Sequence, residues 1–262
     1  MAPSKYIQRE KSMIEYTKLN SAAIDRWVEG GWEWGQPISH EAFVRAQKGD
    51  WSVLLSPTKP VPKDWFPPLR GCKLLGLASG GGQQMPIFAA LEAQCTVLDY
   101  SQKQLESERV FSEQEGYSIK IVHADMTKPL PFGDGSFDLI FHPISNCYVQ
   151  EVFPIWQECF RVLRPGGTLL AGVDNGLNFI FDDEQTTLTY PLPYNPLKNA
   201  ALYEQCLKTG DAVQFSHTTE EQLRGLLKAG FQLQDLYEDT NGTGKLHEYG
   251  VPTFLAFKAQ KP

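Results

Sequence analysis

A glycine-rich turn between two apolar segments constrains the fold of this chain more than any other feature. An apolar run over residues 74–77 leads into Gly80, Gly81 and Gly82, and a second apolar run ends on Asp99. A helix-like segment lies between the two runs, so the order is strand, glycine turn, helix, strand and carboxylate. This order is typical of the first half of a nucleotide-binding βαβ unit, in which the N–H groups at the helix start favour an anion. The carboxylate of Asp99 is placed to accept hydrogen bonds from ribose hydroxyls.

Strand-like and helix-like segments alternate from Gly71 onward. Ser101 and Thr218 each stand three residues before a Gln or Glu, which predicts two capped helix starts. An Arg-Pro-Gly-Gly sequence at 164–167 is expected to break a helix and start the fifth strand. Predicted strands after the first two cover residues 118–123, 137–141, 168–172, 231–237 and 252–258. Such alternation predicts a mostly parallel sheet of seven strands, covered by helices on both faces.

Amino-acid composition changes sharply early in the chain, which predicts a boundary. Residues 56–68 contain five prolines and form a predicted extended connector. Five of the six tryptophans lie at or before Trp65, and a disordered tail would not be this aromatic. We therefore expect residues 1–70 to form a helical and aromatic cap on a main domain of residues 71–262. An insert at about 174–216 interrupts the alternation and is expected to shape the ligand crevice.

Composition and charge exclude several classes of protein. A net charge of −7 argues against a nucleic-acid partner, which would need a basic face. No segment approaches the roughly 18 apolar residues of a membrane helix, and the first residues lack the apolar core of a signal peptide. The five cysteines are odd in number and form no C-x-x-C pair, which indicates free thiols in a reducing compartment. We therefore predict a cytoplasmic protein with no membrane partner and, from its Cys, His and Asp spacing, no metal site.

Five short motifs follow one another along the main domain. They occupy residues 74–82, 97–100, 123–126, 131–140 and 161–167. Together these motifs resemble those of class I S-adenosylmethionine-dependent methyltransferases, and in particular the small type 11 methyltransferase domains. The resemblance covers residues 71–175 well and residues 217–258 more loosely. It implies a Rossmann-like fold with S-adenosyl-L-methionine as the cofactor.

The resemblance also implies roles for individual residues. In the family the first glycine motif wraps the methionine end of the cofactor, the acid of the second motif holds the ribose diol, and the acid of the third receives the adenine amino group. Asp99 and Asp125 match those two acids, and Met126 would pack against the purine. The implied cofactor contacts are Ala78, Ser79, Gly80, Gly82, Asp99, Tyr100, Gln104, Asp125, Met126, His142, Pro143 and Asn146.

Two positions depart from the family pattern. The acid usually found two residues into the first motif is Gly76 here, and the first glycine of that motif is Ala78. Because the acid normally helps to orient the amino acid end of the cofactor, another group must take over this task. Gln83, Gln84 or a residue of the N-terminal segment are the candidates.

The segment after the fourth predicted strand faces the transferred methyl group in this fold. His142, Asn146 and Tyr148 are polar residues that could orient a methyl acceptor there. His142 is a weak candidate for accepting a proton near neutral pH. The alternative is that these side chains cap the strand end and bond to the backbone, so the catalytic residue stays unknown.

These patterns favour a methyltransferase that acts on a small molecule enclosed by the cap and the insert. A nicotinamide or flavin enzyme would share the fold, but Met85 stands where its Gly-x-Gly-x-x-Gly motif needs Gly or Ala. A module that binds S-adenosylmethionine or S-adenosylhomocysteine without transferring methyl stays open, since Gly76 replaces the acid. Four tryptophans of the cap either pack it onto the sheet or form an aromatic wall for a cation. They are Trp27, Trp32, Trp34 and Trp51.

Overall fold

Seven strands form one sheet in the computed structural model, which describes the backbone of residues 5–262 and the side chains of residues 16–262. The strands are β1 (Lys73–Leu77), β2 (Gln94–Asp99), β3 (Lys120–His123), β4 (Phe137–His142), β5 (Leu163–Asp174), β6 (Gln232–Asp239) and β7 (Phe254–Gln260). Their order across the sheet is β3-β2-β1-β4-β5-β7-β6. The pairs among β1 to β5 are parallel, and β7 is antiparallel to both of its neighbours. The predicted Rossmann-like, mostly parallel sheet of seven strands is confirmed.

Helices cover both faces of this sheet. Within residues 5–262 the α-helices are α1 (Lys5–Glu29), α2 (His40–Gln47), α3 (Met85–Ala90), α4 (Gln102–Glu115), α5 (Phe153–Val162), α6 (Ala200–Thr209), α7 (Thr219–Ala229) and α8 (Gly244–Glu248). Leu75 of β1 belongs to a buried cluster that includes Trp156 of α5. Its neighbour Leu74 belongs to a second cluster that includes Phe88 of α3. Because successive strand residues point to opposite faces, these clusters are the cores of the two sides of the sheet.

The predicted helix caps are present in the structure. Ser101 Oγ accepts a hydrogen bond from the amide of Gln104 at 3.1 Å. Thr218 and Glu221 form a reciprocal capping box at the start of α7. These caps satisfy N–H groups that have no partner inside the helix.

The fifth strand is longer than the sequence pattern indicates. The helix before residues 164–167 ends as expected, at Val162, but the predicted strand start at Thr168 is wrong, because β5 already begins at Leu163. Gly166 donates its amide to the carbonyl oxygen of Lys261 at 2.8 Å, and Lys261 donates to Gly167 at 3.0 Å. Pairing with the far end of the chain therefore holds this segment in the sheet, although Gly166 itself has a φ of +74°.

Residues before β1 lie against the sheet. Trp65 is buried, and its indole N–H donates to Asp235 at 2.9 Å. Phe66 stacks on Phe141 of β4 and contacts Trp51 edge-on. Part of the aromatic cluster thus packs the cap onto the sheet, which is one of the two alternatives that the sequence left open.

None of the helices described between residues 5 and 262 is long and apolar enough to cross a lipid bilayer.

Candidate active site

A cavity of about 220 Å³ lies at the carboxyl ends of β1, β2 and β4. Its walls come from the cap, the glycine turn, the end of β2, the segment after β4 and the first residue of β7. Seven of the predicted site residues line it, namely Ala78, Ser79, Gly80, Asp99, Tyr100, Gln104 and Pro143. A smaller cavity of about 20 Å³ shares Ala78, Asp99 and Tyr100 with the first and is also lined by Asp125 and Met126. The structure thus gathers nine of the twelve predicted residues around two adjoining spaces.

The glycine turn brings the backbone close to its neighbours. A Cβ atom at Gly80 would stand 2.7 Å from Gln104 Cβ and 3.2 Å from an oxygen of Asp99. Gly81 and Gly82 have φ angles of +92° and +77°, which only glycine adopts freely. Ala78 has a φ of +48°, so a residue with a side chain occupies a left-handed position at the place of the family's first glycine.

The acid missing at Gly76 is replaced by an apolar contact. A Cβ atom at this position would lie 2.6 Å from the sulfur of Met85, which is fully buried. Met85 therefore fills the space that a carboxylate would take. The same residue stands where a dinucleotide-binding motif needs glycine or alanine.

Gln83 and Gln84 are both engaged by the surrounding protein. The side-chain N–H of Gln83 donates to the carbonyl oxygen of Glu33 in the cap at 2.7 Å. Gln84 accepts a hydrogen bond from Ser79 at 3.1 Å and lines the larger cavity. Both side chains border the larger cavity next to the glycine turn, so both stay candidates for the task of the missing acid.

The cap closes directly over the glycine turn. Ile38 donates its amide to the carbonyl oxygen of Gly82 at 3.0 Å, and Gln104 donates to the carbonyl oxygen of Trp34 at 3.3 Å. Trp32 and Trp34 line the larger cavity. These two tryptophans thus lie where the second alternative would place them, and an aromatic wall for a cation stays a prediction.

Asp99 is a buried carboxyl group that lines both cavities. One of its carboxyl oxygens accepts from the amide of Gly80 at 3.2 Å, and the other accepts from the amide of Ser101 at 2.9 Å. Burial raises the pKa of Asp99 to about 6, although these N–H groups oppose the shift. Each oxygen keeps a lone pair that a further hydroxyl donor can use.

Helix α1 covers the smaller cavity. Thr17 of α1 lines it together with Asp125 and Met126, and Ser21 Oγ donates to the carbonyl oxygen of Tyr100 at 2.8 Å. Asp125 accepts a hydrogen bond from the amide of Thr127 at 2.8 Å. The third-motif acid therefore keeps one carboxyl oxygen for a ligand beneath the helix.

Gly82, His142 and Asn146 line neither cavity among the described residues. His142 is fully buried, with Nδ1 2.9 Å from the carbonyl oxygen of Leu77 and Nε2 2.9 Å from Oδ1 of Asn146. Asn146 in turn donates to Gln222 of α7 at 2.9 Å. Burial lowers the pKa of His142, which keeps the ring neutral. The proton-accepting role considered for His142 finds no support in this geometry, because both ring nitrogens are engaged by Leu77 and Asn146.

Residues 174–216 do not line either cavity in the described part of the chain. The insert instead holds α1 in place. Asn20 of α1 accepts from the amide of Val213 at 2.6 Å and donates to its carbonyl oxygen at 2.9 Å. Tyr16 packs edge-on against Phe215. In the described chain the insert therefore contacts α1 and not the cavities, and its expected influence on the crevice stays a prediction.

Several lining residues have no counterpart among the predicted ones. They come from α1, the cap, the segment after β4 and the start of β7, and comprise Ile24, Leu54, Leu55, Ser56, Pro57, Ile144, Ser145, Cys147 and Phe254. Their positions depend on contacts across the sheet rather than on any local motif. The proline-rich connector was the only signal in the sequence near Leu54 to Pro57.

Buried polar atoms without partners show that the site fits a polar ligand. The hydroxyl of Tyr100 and Oε1 of Gln104 have no hydrogen-bond partner among the described residues, and both side chains line the larger cavity. A buried polar atom without a partner is costly unless a ligand or water satisfies it. Together with the Asp99 carboxylate, these atoms suit a nucleoside that carries hydroxyl and amino groups.

The strand order, the glycine turn and the two strand-end acids define the class of S-adenosylmethionine-dependent methyltransferases. Comparison with known proteins agrees. The family model described as a methyltransferase domain matches residues 75–171. An uncharacterized methyltransferase of Bacillus subtilis, YbaJ, is 40% identical over 249 residues, which is 92% of this chain and 97% of that protein. The chain therefore belongs to the methyltransferase domain family, and it is an enzyme that uses S-adenosylmethionine.

Solved structures share the fold at low sequence identity. A S-adenosylmethionine dependent methyltransferase from Mesorhizobium loti is 21% identical, with a TM-score of 0.61 over 76% of this chain and 95% of that chain. A putative S-adenosylmethionine dependent methyltransferase from Listeria monocytogenes is 16% identical, with a TM-score of 0.59 over the same shares. These likenesses concern the fold alone.

Proposed function

We propose that this methyltransferase acts on a small molecule that binds in the larger cavity, beside the methionine end of the cofactor. One observation carries the proposal. The cavity is bordered on one side by the glycine turn and Asp99, and on the other by cap residues such as Trp32 and Leu54. A concave space of about 220 Å³ suits a small molecule better than a polymer. In this proposal residues 1–70 act as a cap, and residues 174–216 as an insert, on the domain of residues 71–262.

The cofactor roles of individual residues are part of the proposal. Asp99 would accept hydrogen bonds from the ribose diol, and Asp125 would accept one from the adenine amino group. Met126 would pack against the purine, and the glycine turn would surround the methionine end. When bound, S-adenosylmethionine supplies an electrophilic methyl group on a cationic sulfonium. The protein itself then has to orient the acceptor and exclude water.

His142 and Asn146 are positioning residues in this proposal. The bond from His142 to the Leu77 carbonyl ties β4 to the last residue of β1, directly before the glycine turn. Asn146 extends this connection to α7 through Gln222. The network supports the walls of the site without entering it.

We also infer a cytoplasmic location and no nucleic-acid partner. The five cysteines are free, which suits a reducing compartment. The net charge of −7 disfavours a nucleic-acid acceptor.

Calorimetric titration with S-adenosylmethionine tests the cofactor roles. We expect the wild-type protein to bind it and Asp99→Asn to bind at least about tenfold more weakly, because the neutral amide is a poorer acceptor for the diol; tenfold corresponds to about 1.4 kcal/mol. Asp183→Asn, at an exposed aspartate of the insert, should bind like the wild type. Equal binding by Asp99→Asn and the wild type would reject the assigned role.

Product formation separates an enzyme from a binding module. The protein is incubated with S-adenosylmethionine and the small-molecule fraction of a bacterial extract, and release of S-adenosylhomocysteine is measured. Release above the extract-free control, and lost in Asp99→Asn, supports transfer to a small molecule. Tight cofactor binding with no release, in the presence of any size fraction, would favour the non-catalytic alternative.

A further inference from the structure

The larger cavity has an apolar lining that the cofactor motifs do not form. Ile24, Trp32, Leu54, Pro57 and Phe254 line it, and all of them are apolar. They belong to separate parts of the chain: α1, the cap, the proline-rich connector and β7. An enclosed surface of this kind favours apolar ligand area, at roughly 25 cal/mol for each Å² removed from water.

Residues 54–57, here called the wall segment, are held firmly by the sheet. Asp239 at the end of β6 accepts hydrogen bonds from Ser56 Oγ at 2.7 Å, from the amide of Thr58 at 2.8 Å and from the amide of Lys59 at 3.0 Å. Several donors on one buried carboxylate lower its pKa, so Asp239 stays ionised while it holds the segment. The wall segment therefore has a defined conformation, held by these hydrogen bonds.

The backbone of the wall segment also presses against β5. Gly172 lies so close to it that a Cβ atom there would stand 1.9 Å from the carbonyl oxygen of Leu55. Leu55 itself is 1% exposed. The wall segment is thus held by Gly172 on one side and by Asp239 on the other. These contacts fix the positions of Leu54 and Pro57 at the cavity.

The charge distribution of the cavity argues against a charged ligand beside this apolar lining. Among its described lining residues, Asp99 is the one with an acidic or basic side chain, and it borders the glycine turn. An anion would be repelled by Asp99 and would lose its hydration without gaining a partner. Burying an uncompensated charge against apolar side chains is costly.

We propose that this apolar lining forms an acceptor subsite for an uncharged, apolar molecule, with the wall segment and Phe254 as its specificity-determining surface. The proposal rests on the proposed function, since it assumes that the glycine turn and Asp99 hold the cofactor. It adds the chemical class of the acceptor and the residues that select it.

Pairs of probes that share an aromatic ring system and differ in one substituent, neutral or anionic, test the subsite. Protein saturated with S-adenosylhomocysteine is titrated with 1-naphthol and naphthalene-1-sulfonate, and with phenol and benzenesulfonate. We expect at least one uncharged probe to bind at least about tenfold tighter than its sulfonate, a difference of about 1.4 kcal/mol. Failure of both uncharged probes to bind, or equal or tighter binding of the sulfonates, would overturn the proposal.

Variants of the wall locate the binding. Leu54→Ala should weaken binding of the uncharged probe about threefold or more, because it removes apolar contact area. Leu54→Lys should shift the preference toward the sulfonate, whereas Leu207→Ala, at an exposed leucine of α6, should change nothing. Probe affinities that are the same in both Leu54 variants as in the wild type would overturn the assignment.

The two proposals fail in different ways. Absence of binding of S-adenosylhomocysteine by the wild-type protein would refute the cofactor site. Normal binding of S-adenosylhomocysteine by all variants, with no charge preference among the probes, would refute only the acceptor subsite.

Discussion

Burial of one carboxyl group, that of Asp99, links the chemistry of the site to pH. The side chain is 5% exposed, and its pKa is raised to about 6 from an ordinary value of 3.8. In the folded protein the group therefore keeps its proton up to about pH 6, whereas the unfolded chain loses it near pH 4. The folded state therefore binds this proton more tightly than the unfolded state. As a result, the free energy of unfolding falls as the pH rises from about 4 to 6.

The same shift predicts how cofactor affinity depends on pH. Ribose hydroxyls donate to the ionised carboxylate, so binding at pH 5 must first remove a proton. We expect the affinity for S-adenosylmethionine to rise about tenfold from pH 5 to pH 7 and to level off above pH 7. Calorimetric titrations at pH 5, 6, 7 and 8 measure this dependence.

A control variant assigns the effect to its source. Asp174 also has a pKa raised to about 6 by burial, but it lines neither cavity in the described chain. Asp174→Asn should keep the pH dependence, and Asp99→Asn should lose it. An affinity that falls between pH 5 and pH 7 would contradict the interpretation.

At the scale of elements, β5 can contact the wall segment because Gly172 has no side chain. Gly172→Ala places a methyl group against the Leu55 carbonyl oxygen, so either the wall segment or β5 must move. We expect the free energy of unfolding to fall by about 1–3 kcal/mol, as for other overpacked sites. Urea denaturation measures the loss.

The matched control for this substitution is Gly133→Ala. A Cβ atom there would have its nearest neighbour, Ser136 Oγ, at 3.6 Å, which is ordinary contact. Its unfolding midpoint should stay at the wild-type value. If the two variants unfold at the same urea concentration, the close approach of Leu55 to Gly172 is not a constraint on the fold.

Local patterns explain why much of the sheet could be predicted. The glycine turn, the acid at the end of β2 and the cap at Ser101 each depend on residues within a few positions of one another. The start of β5 could not be predicted, because Gly166 pairs with Lys261 at the other end of the chain. The wall of the cavity was missed for the same reason, since Ser56 is fixed by Asp239, which follows 183 residues later.

The candidate site residues show the same difference between local patterns, which the sequence reveals, and long-range contacts, which it does not. Asp99, which the motif spacing identifies, lines the cavity as expected. His142 follows the fourth strand as the resemblance implies, yet its ring is enclosed by Leu77 and Asn146. Sequence position alone indicates which end of the strand a residue occupies, but burial by α7 and by the post-β4 segment decides which way it faces.

Across the whole molecule, α1 joins parts of the chain that are far apart in sequence. Asn20 connects it to the insert at Val213, and Ser21 connects it to Tyr100 at the end of β2. Asp25 accepts a hydrogen bond from Ser101 at 2.6 Å, at the start of α4. The cofactor-side edge of the sheet, the insert and the helix should therefore behave as one cooperative unit.

Removal of the Asn20 amide tests this cooperativity. Asn20 is fully buried, and Asn20→Ala leaves the N–H and C=O groups of Val213 without these partners. We expect a loss of about 2 kcal/mol, which lowers Tm by about 4–8 °C for a domain of this size. Hydrogen exchange should become faster in residues 16–28 and 211–216 together. Lys18→Ala, at an exposed position of the same helix, should stay within about 0.5 kcal/mol of the wild type. Faster exchange in α1 alone, with the insert still protected, would mean that the insert is held by other contacts and that α1 is not the connection between them.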